Sequence, residues 1–305
     1  MHRGPCHRRP TLAMLRAFLS PFAIATLAAA AVCQTEPAPA SGGLDGLAAR
    51  VDAAHRPDGP TPAVTALKGA VELHYVARDA EQRGQVDLDL RYLEWTRPGG
   101  TKVVPLLRYE VKQAGAPVVR GRDRNGPWQL VKGEPRDLLA ADAAQDLAEH
   151  ERRQTLVRQL LRFLAPGDVL RTLQQAGPIT REDLEVARAT RVACVTVTGT
   201  LPAFPLLRQG GDDAPAQLKV WIDAATNRLL AVDAAPMQDG KPDVADGERV
   251  RLTDLRARDG LLVPGEVLHL FTGADGKYAL QTRAVITTLQ LRPELKAEDF
   301  DRSRG

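Results

Sequence analysis

The last third of the chain consists of segments in which apolar and polar residues alternate, and short turns join these segments. This pattern limits the possible folds more than any other part of the sequence. Asp259-Gly260 and Asp275-Gly276 separate runs in which every second residue is apolar. Alternation of this kind is typical of half-buried strands, and Asp-Gly between two such runs is typical of a tight hairpin. The pattern therefore predicts an antiparallel meander with strands over 218–222, 229–232, 250–258, 261–271 and 278–291.

The first half of the chain shows the same alternation after a short helical segment. Apolar residues at helical spacing predict a helix over 44–55, which Pro57 and Pro60 end. From about residue 64 the period changes to two, and Asn125-Gly126 is a further hairpin dipeptide. The alternating segments predict strands over 71–75, 86–92, 103–111, 118–124 and 128–131.

A helical block separates the two β regions. Pro135 suits a first helical position, and a wide apolar stripe predicts a helix over 135–164 that ends at Ala165-Pro166-Gly167. A second short helix is predicted before Gly177-Pro178. Residues 184–198 fit a capped helix or a strand, and we favour the strand because their apolar residues alternate.

This order of elements, strands then helices then strands, defines the fold class. The alternating strand–helix order of a parallel sheet does not occur in it. We therefore expect an α+β domain with one antiparallel sheet and the helices gathered on one face. The domain is predicted to span 44–300, followed by a short tail, 301–305.

The first 33 residues have the composition of a secretory signal peptide. Four arginines and no acidic residue accompany an apolar run from Ala17 to Val32, and a spacer rich in Pro, Ala and Gly follows over 34–43. We expect export to the periplasm or cell envelope. Cys33, directly after the apolar run, is a candidate for lipidation and membrane anchoring, and cleavage after Ala31 is the alternative.

Charge and composition argue against several functions. Removing the four arginines of the leader from the 41 basic residues leaves 37 against 38 acidic ones, so no global charge attracts nucleic acid. After residue 33 the serines are Ser41 and Ser303, in the spacer and the tail, which argues against a serine nucleophile. Nucleotide-binding and metal-binding motifs do not occur. We expect no catalytic residue, no cofactor and no metal.

Three groups of residues remain as weaker candidates for chemistry. Arg120, Arg122 and Arg124 alternate along one strand face and could bind an anionic group, although a solvated, ion-paired face is the simpler interpretation. Cys194 lies between valines and is expected to be a core residue. His74 and His269 are candidate ligands of a metal site that distant strands could form together.

Short motifs in the C-terminal third carry a resemblance to a known family. They are the strand-turn-strand from Leu218 to Leu230, the sequence Asp259-Gly-Leu-Leu-Val-Pro264, and the terminal Pro293-Glu-Leu-Lys-Ala-Glu-Asp-Phe300. In the first half of the chain, Trp95, the Leu107–Glu110 strand and Gly126-Pro-Trp128 follow one another in the same order as similar elements of that family. The chain resembles the LolA/LolB-like lipoprotein carriers over most of 44–300. It departs from them in the long helical segment 134–176 and in polar loops expected at 208–216 and 235–247.

The resemblance implies a strongly curved antiparallel sheet around helices, with an apolar cavity between them that binds lipid or lipoprotein acyl chains. The implied function is a non-enzymatic carrier. Two alternatives remain: an envelope scaffold with the same fold and a filled core, and a hydrolase or metal enzyme whose site assembles only in three dimensions. The residues expected to line the cavity are Leu88, Leu90, Tyr92, Leu156, Leu160 and Leu164.

Overall fold

The computed structural model describes residues 42–76, 84–112, 117–187, 190–209 and 213–303. The expected signal peptide, most of the spacer and Cys33 lie outside the described residues. Within them, the fold is α+β, with a large open antiparallel sheet and three α-helices.

The sheet contains fourteen strands among the described residues, and every pairing between them is antiparallel. Its order is β6-β5-β4-β3-β2-β1-β14-β13-β12-β10-β9-β8-β7, and β11 pairs with β10. The strands are β1 (Ala66–Tyr75), β2 (Gly84–Thr96), β3 (Val103–Lys112), β4 (Val118–Asp123), β5 (Gly126–Val131), β6 (Glu134–Asp137), β7 (Thr180–Ala187), β8 (Thr190–Pro205), β9 (Asp213–Asp223), β10 (Leu229–Gln238), β11 (Lys241–Pro242), β12 (Glu248–Arg258), β13 (Leu261–Thr272) and β14 (Tyr278–Leu291).

Strand β1 joins the two β regions into one sheet, because it pairs with both β2 and β14. A register shift interrupts the β1–β14 pairing between Ala70 and Val71, and another interrupts the β13–β14 pairing between His269 and Leu270. Such bulges bend strands and increase their twist. The sheet is therefore curved at its centre, as the family resemblance implied.

Three helices pack on one face of the sheet: α1 (Gly43–His55), α2 (Ala144–Phe163) and α3 (Pro166–Thr172). Their apolar residues join those of the inner strand faces in one large core. Gly167 allows α1 to approach α3, since a Cβ at this position would lie 2.3 Å from the carboxylate of Asp52. Arg171 of α3 then binds Asp52 at 2.6 Å.

The outer face carries a smaller apolar cluster beneath the C-terminal segment. Phe300 is fully buried there against Leu106, with Trp95 at the edge. Arg302 holds the segment to the sheet through a 2.8 Å ion pair with Asp123. The motif that ends at Phe300 therefore seals the outer face of the sheet, away from the helices.

The sequence-based start of the long helix was wrong. Helix α2 begins at Ala144, and Pro135 lies in the edge strand β6, where it pairs with Leu130. The physical cause is a tight turn at Lys132-Gly133, where both residues have positive φ and return the chain onto β5. Leu139, expected on the apolar stripe, is 64% exposed.

One further prediction of secondary structure is confirmed, and two are partly wrong. The strand favoured over 184–198 is confirmed and belongs to the paired strands β7 and β8. The expected loops at 208–216 and 235–247 are partly wrong, because β9 begins at Asp213 and β10 continues to Gln238. Polar composition misled the prediction at both places, since these are strand ends with one face exposed.

Candidate functional site: an apolar cavity beneath α2

A partly open apolar cavity on the inner face lies between α2 and five strands at the centre of the sheet. Its volume is about 60 Å³, and nearly all of its surface is aliphatic. It is lined by Leu67, Gly69, Val71 and Leu73 of β1, Leu88 and Leu90 of β2, Leu107 and Tyr109 of β3, Val267 and His269 of β13, Ala284, Ile286 and Leu289 of β14, and Arg153, Leu156, Val157 and Leu160 of α2.

The volume decides what this conformation can hold. Sites for small molecules usually measure about 300–1,000 Å³. At about 60 Å³ the space beneath α2 is well below that range, so it accepts no whole acyl chain with α2 in its present position. A bound chain would need α2 to move away from the sheet.

Four of the six residues expected to line a cavity meet in it: Leu88, Leu90, Leu156 and Leu160. The other two do not. Tyr92 is 1% exposed in the core, and Leu164 follows the last residue of α2 and borders a separate surface groove beside Arg56 and Leu261.

Polar contacts attach α2 to the sheet along its length. Near its N-terminus Arg120 of β4 donates to both Asp146 and Glu149. Further along, Arg158 binds Asp213 of β9 at 2.6 Å. In the middle of α2, Gln159 donates to the carbonyl oxygen of Pro205 at 2.7 Å.

Glu248 of β12 completes the attachment of the middle of α2. Its side chain is buried and accepts hydrogen bonds from Gln159 Nε2 at 2.7 Å and from the backbone N–H of Leu207 at 2.9 Å. Burial raises the pKa of Glu248 from 4.5 to about 7, against the opposing effect of these hydrogen bonds. The carboxyl group that binds Gln159 of α2 therefore changes its protonation state near neutral pH.

Arg120 and Arg122 of β4 and Arg124, in the turn after it, have different environments. Arg120 is buried and ion-paired with Asp146 and Glu149, and Arg124 is exposed and lies 3.4 Å from Asp301. Arg122 lies between them with a buried Nε that has no hydrogen-bond partner among the described residues. The ion-paired interpretation therefore fits Arg120 and Arg124, and it does not account for Arg122.

Next to these arginines, the N-terminal half of α2 buries two further polar side chains. His150 is fully buried and stacks on Tyr109 with ring centroids 5.7 Å apart. Arg153 is 4% exposed, and its guanidinium carbon lies 4.9 Å from the Tyr109 ring centroid. Burial, together with Arg122, Arg120 and Arg153, lowers the pKa of His150 to about 3, so its imidazole is neutral at physiological pH.

The remaining candidates for chemistry do not converge. Cys194 is buried on the outer face, and burial raises the pKa of its thiol to about 11, so it is a core residue rather than a nucleophile. His74 and His269 lie on opposite faces of the sheet, because His74 alternates with cavity-lining Leu73 while His269 lines the cavity itself. Among the described residues, no group of three His, Cys, Asp or Glu side chains is placed to hold a metal ion.

Sequence reasoning missed several residues of the site. Gly69 lines the cavity at a position where a Cβ would lie 2.5 Å from the carbonyl oxygen of Thr288, and a glycine inside an alternating strand was the available signal. Arg153 lies three residues before Leu156 and four before Val157, so it interrupts the apolar stripe of α2. Glu248 gave no such signal, because strand ends commonly carry charged residues.

Comparison with known proteins gives matches at the level of structure. The sequence matches no family model and no curated protein. Three solved structures are similar, and each alignment includes at least 96% of the solved chain. A Vibrio parahaemolyticus domain described as an outer membrane lipoprotein-sorting protein aligns over 87% of this chain, with a TM-score of 0.40 and 11% identity. A DUF1329 family protein from Desulfovibrio piger aligns over 85% (TM-score 0.45, 10% identity), and a LolA superfamily protein from Nitrosomonas europaea aligns over 86% (TM-score 0.44, 11% identity).

Two of these three descriptions match the family that the C-terminal motifs indicated. At this level of similarity they concern the general arrangement of sheet and helices. No helix in the described part of the chain is long and apolar enough to cross a membrane.

Proposed function

We propose that this domain is a non-enzymatic carrier that binds acyl chains between α2 and the centre of the sheet. The observation that supports this most directly is the aliphatic lining of the cavity, to which both the sheet and α2 contribute. Apolar surface of this kind takes up methylene groups at a gain of about 0.8 kcal/mol each.

The route by which a chain enters is proposed to run beside Leu156 and Leu160. Both side chains line the cavity and both remain partly exposed to solvent, unlike Val157 between them. Besides its apolar packing, α2 is attached to the sheet through a few discrete polar contacts, and an outward movement would break them. We propose that this movement enlarges the cavity to the size of its cargo.

We also propose that the carrier acts in the cell envelope after export. The basic and apolar residues 1–33 support this location, and Cys33 is the proposed lipid-anchored residue. Anchoring and cargo binding are separate proposals, since the first depends on the leader and the second on the cavity.

A second candidate function is an envelope scaffold with the same fold. The small volume of the cavity, about 60 Å³, favours it, because a void of this size also occurs as a simple packing defect. The two candidates differ in how they respond to a charge placed in the cavity wall.

The experiment measures binding of a fluorescent fatty acid to the full chain and to two variants. Leu160→Arg places a guanidinium at the proposed entrance, and Leu44→Arg is the matched control, since Leu44 is also partly exposed and packs on the same core without lining the cavity. For a carrier we expect micromolar binding by the wild type, at least tenfold weaker binding by Leu160→Arg, and unchanged binding by Leu44→Arg.

Circular dichroism and thermal unfolding complete the comparison. A carrier with an open entrance keeps Leu160→Arg folded, since the guanidinium reaches water. In a filled scaffold core the same charge is buried without a partner, which costs several kcal/mol and unfolds the domain. Failure of the wild type to bind the probe would refute the carrier proposal.

A further inference from the structure

A buried polar cluster adjoins the end of the apolar cavity. We use the name arginine cluster for Arg120 and Arg122 of β4, Arg153 and His150 of α2, and Tyr109 of β3. Tyr109 stands opposite Arg120 in the strand pairing and contacts both α2 residues through its ring. The cluster therefore joins the edge of the sheet to the first half of α2.

Hydrogen bonding within the cluster is incomplete. Each guanidinium nitrogen of Arg120 donates one hydrogen bond, to Glu149 at 2.5 Å, to Gln129 at 3.3 Å and to Asp146. Arg153 donates through Nη2 to Glu149, but its Nε and Nη1 have no partner among the described residues. The same holds for Nε of Arg122 and for both ring nitrogens of His150.

Leaving such groups unpaired is costly. Each buried donor without a hydrogen bond costs about 1–3 kcal/mol. Here five unpaired nitrogen atoms on three neighbouring side chains, Arg122, His150 and Arg153, occur around one point of the structure. Natural interiors satisfy most of their buried polar groups, so a concentration of unsatisfied ones indicates a functional site.

The charge of the cluster is also unbalanced. Three guanidinium groups face two carboxylates, those of Asp146 and Glu149, while His150 is neutral. The excess is one positive charge. Arginine fits a carboxylate or a phosphate particularly well, because its planar N–H groups bind two oxygens at once.

The position of Arg153 connects this charge to the cavity. Arg153 and Tyr109 line the cavity themselves, and Leu156, Val157 and Leu160 line it along the next two turns of α2. From Arg153 to Leu160 the helix extends about 10 Å at 1.5 Å per residue. A ligand lying along α2 would have its polar end at Arg153 and its apolar end near Leu160.

We propose that the arginine cluster binds the oxyanion of an amphiphile, a carboxylate or a phosphate, whose acyl chain occupies the cavity. This rests on the proposed carrier function and specifies its cargo. The unpaired N–H groups of Arg153 and Arg122 donate to the oxyanion, and the neutral imidazole of His150 donates one further N–H. The bound oxyanion neutralises the excess charge of the cluster.

The test compares ligands that share a twelve-carbon chain and differ at the head: dodecanoate, dodecyl phosphate and dodecanol, each below its micelle-forming concentration, with inorganic phosphate as the chain-free arm. Calorimetry on the full chain measures each dissociation constant. We expect at least tenfold tighter binding of one or both anionic amphiphiles than of dodecanol, and the tighter of the two identifies the head group. Inorganic phosphate should bind at least tenfold more weakly than dodecyl phosphate.

Two variants locate the effect. Arg153→Met removes the guanidinium and keeps most of the side-chain volume, and we expect it to reduce the preference for the anion to threefold or less without weakening dodecanol binding. Arg152→Met is the matched control, because it removes the same charge from an exposed position one residue away on α2. It should leave the preference unchanged.

A measurement on the wild type covers the case in which Arg153→Met does not fold. NMR of dodecanoate labelled with ¹³C at its carboxyl group follows the titration of the bound head, and we expect its pKa to fall by at least one unit on binding. An unchanged or raised pKa would overturn the proposal.

Three results separate this proposal from the carrier function. Equal binding of all three amphiphiles, or an undiminished preference in folded Arg153→Met, refutes the arginine cluster as the head-group site and leaves the carrier function standing. Phosphate binding as tightly as dodecyl phosphate shows that the chain contributes nothing and refutes the amphiphile. Binding of none of the amphiphiles refutes both proposals.

Discussion

Replacing the buried acid Glu248 should change how stability depends on pH. Burial raises the pKa of this carboxyl group from 4.5 to about 7 in the folded protein. Between these two values the unfolded chain loses a proton that the folded chain retains, so the free energy of unfolding falls as pH rises. The loss is nearly complete only at about pH 8, where both states are ionised.

The magnitude follows from the size of the shift. A change of about 2.5 pKa units corresponds to about 3 kcal/mol of stability, because each unit is worth 1.36 kcal/mol. Glu248→Gln has the same shape and no titration, so it should remove this loss. Relative to the wild type, the variant should gain about 3 kcal/mol between pH 4.5 and pH 7.5.

Urea unfolding at half-unit intervals of pH measures this difference, provided that the slope with urea stays constant. The buried histidines His55, His150 and His269 have lowered pKa values and therefore lose stability as pH falls, the opposite direction. Their contribution cancels in the comparison, because both proteins contain them. Glu294→Gln, at an exposed position, is the matched control and should reproduce the wild-type profile. Parallel profiles for the wild type and Glu248→Gln would refute the reasoning.

Three further predictions concern other parts of the molecule. Ala284→Val fills part of the cavity, so it should weaken binding of a fluorescent fatty acid severalfold and leave the melting temperature unchanged or higher; unchanged binding would place the acyl site elsewhere. Gly167→Ala should destabilise the domain by about 1 kcal/mol in urea unfolding despite alanine's better helix propensity, because its Cβ meets the Asp52 carboxylate, and Asp52→Ala should relieve the effect. Labelling of cells with a palmitate analogue should mark the wild type and not Cys33→Ala; a soluble, unlabelled product beginning at Val32 would reject lipidation.

Most of the sheet could be predicted from the sequence, because apolar residues alternate with polar ones along strands that have one buried face. Leu88 and Leu90 face the core while Asp87 and Asp89 between them face solvent, and this alternation holds wherever one face is covered. Turn residues then determine the pairing, as Asp259-Gly260 does between β12 and β13. The joining of the two β regions by β1 and β14 left no local signal, since it depends on a contact across more than 200 residues.

The sequence indicated the apolar side of the candidate site, and on its polar side it indicated Arg120 and Arg122 as candidates for an anionic group. Leu156 and Leu160 could be identified because they repeat at helical spacing on the face that meets the sheet. Arg153 could not be identified, because the packing of α2 on β4 brings it near Arg122 and sequence spacing does not encode that packing. Arginine is common on exposed helix faces, so its burial is visible only once the fold is known.

The composition of the buried face of α2 bears on which candidate function is right. Its buried residues include His150, Arg153 and Gln159, where a helix that only completes a core would carry aliphatic side chains. Replacing buried polar networks by apolar residues commonly leaves a protein equally or more stable, so stability alone does not explain why these side chains are present. A helix attached by a few directional contacts can be released by breaking them, whereas one held by aliphatic packing loses area with every ångström that it moves. The scaffold needs only the second kind of helix. The proposed carrier needs contacts of the first kind, and α2 has them beside the aliphatic packing of Val157, Leu161 and Phe163.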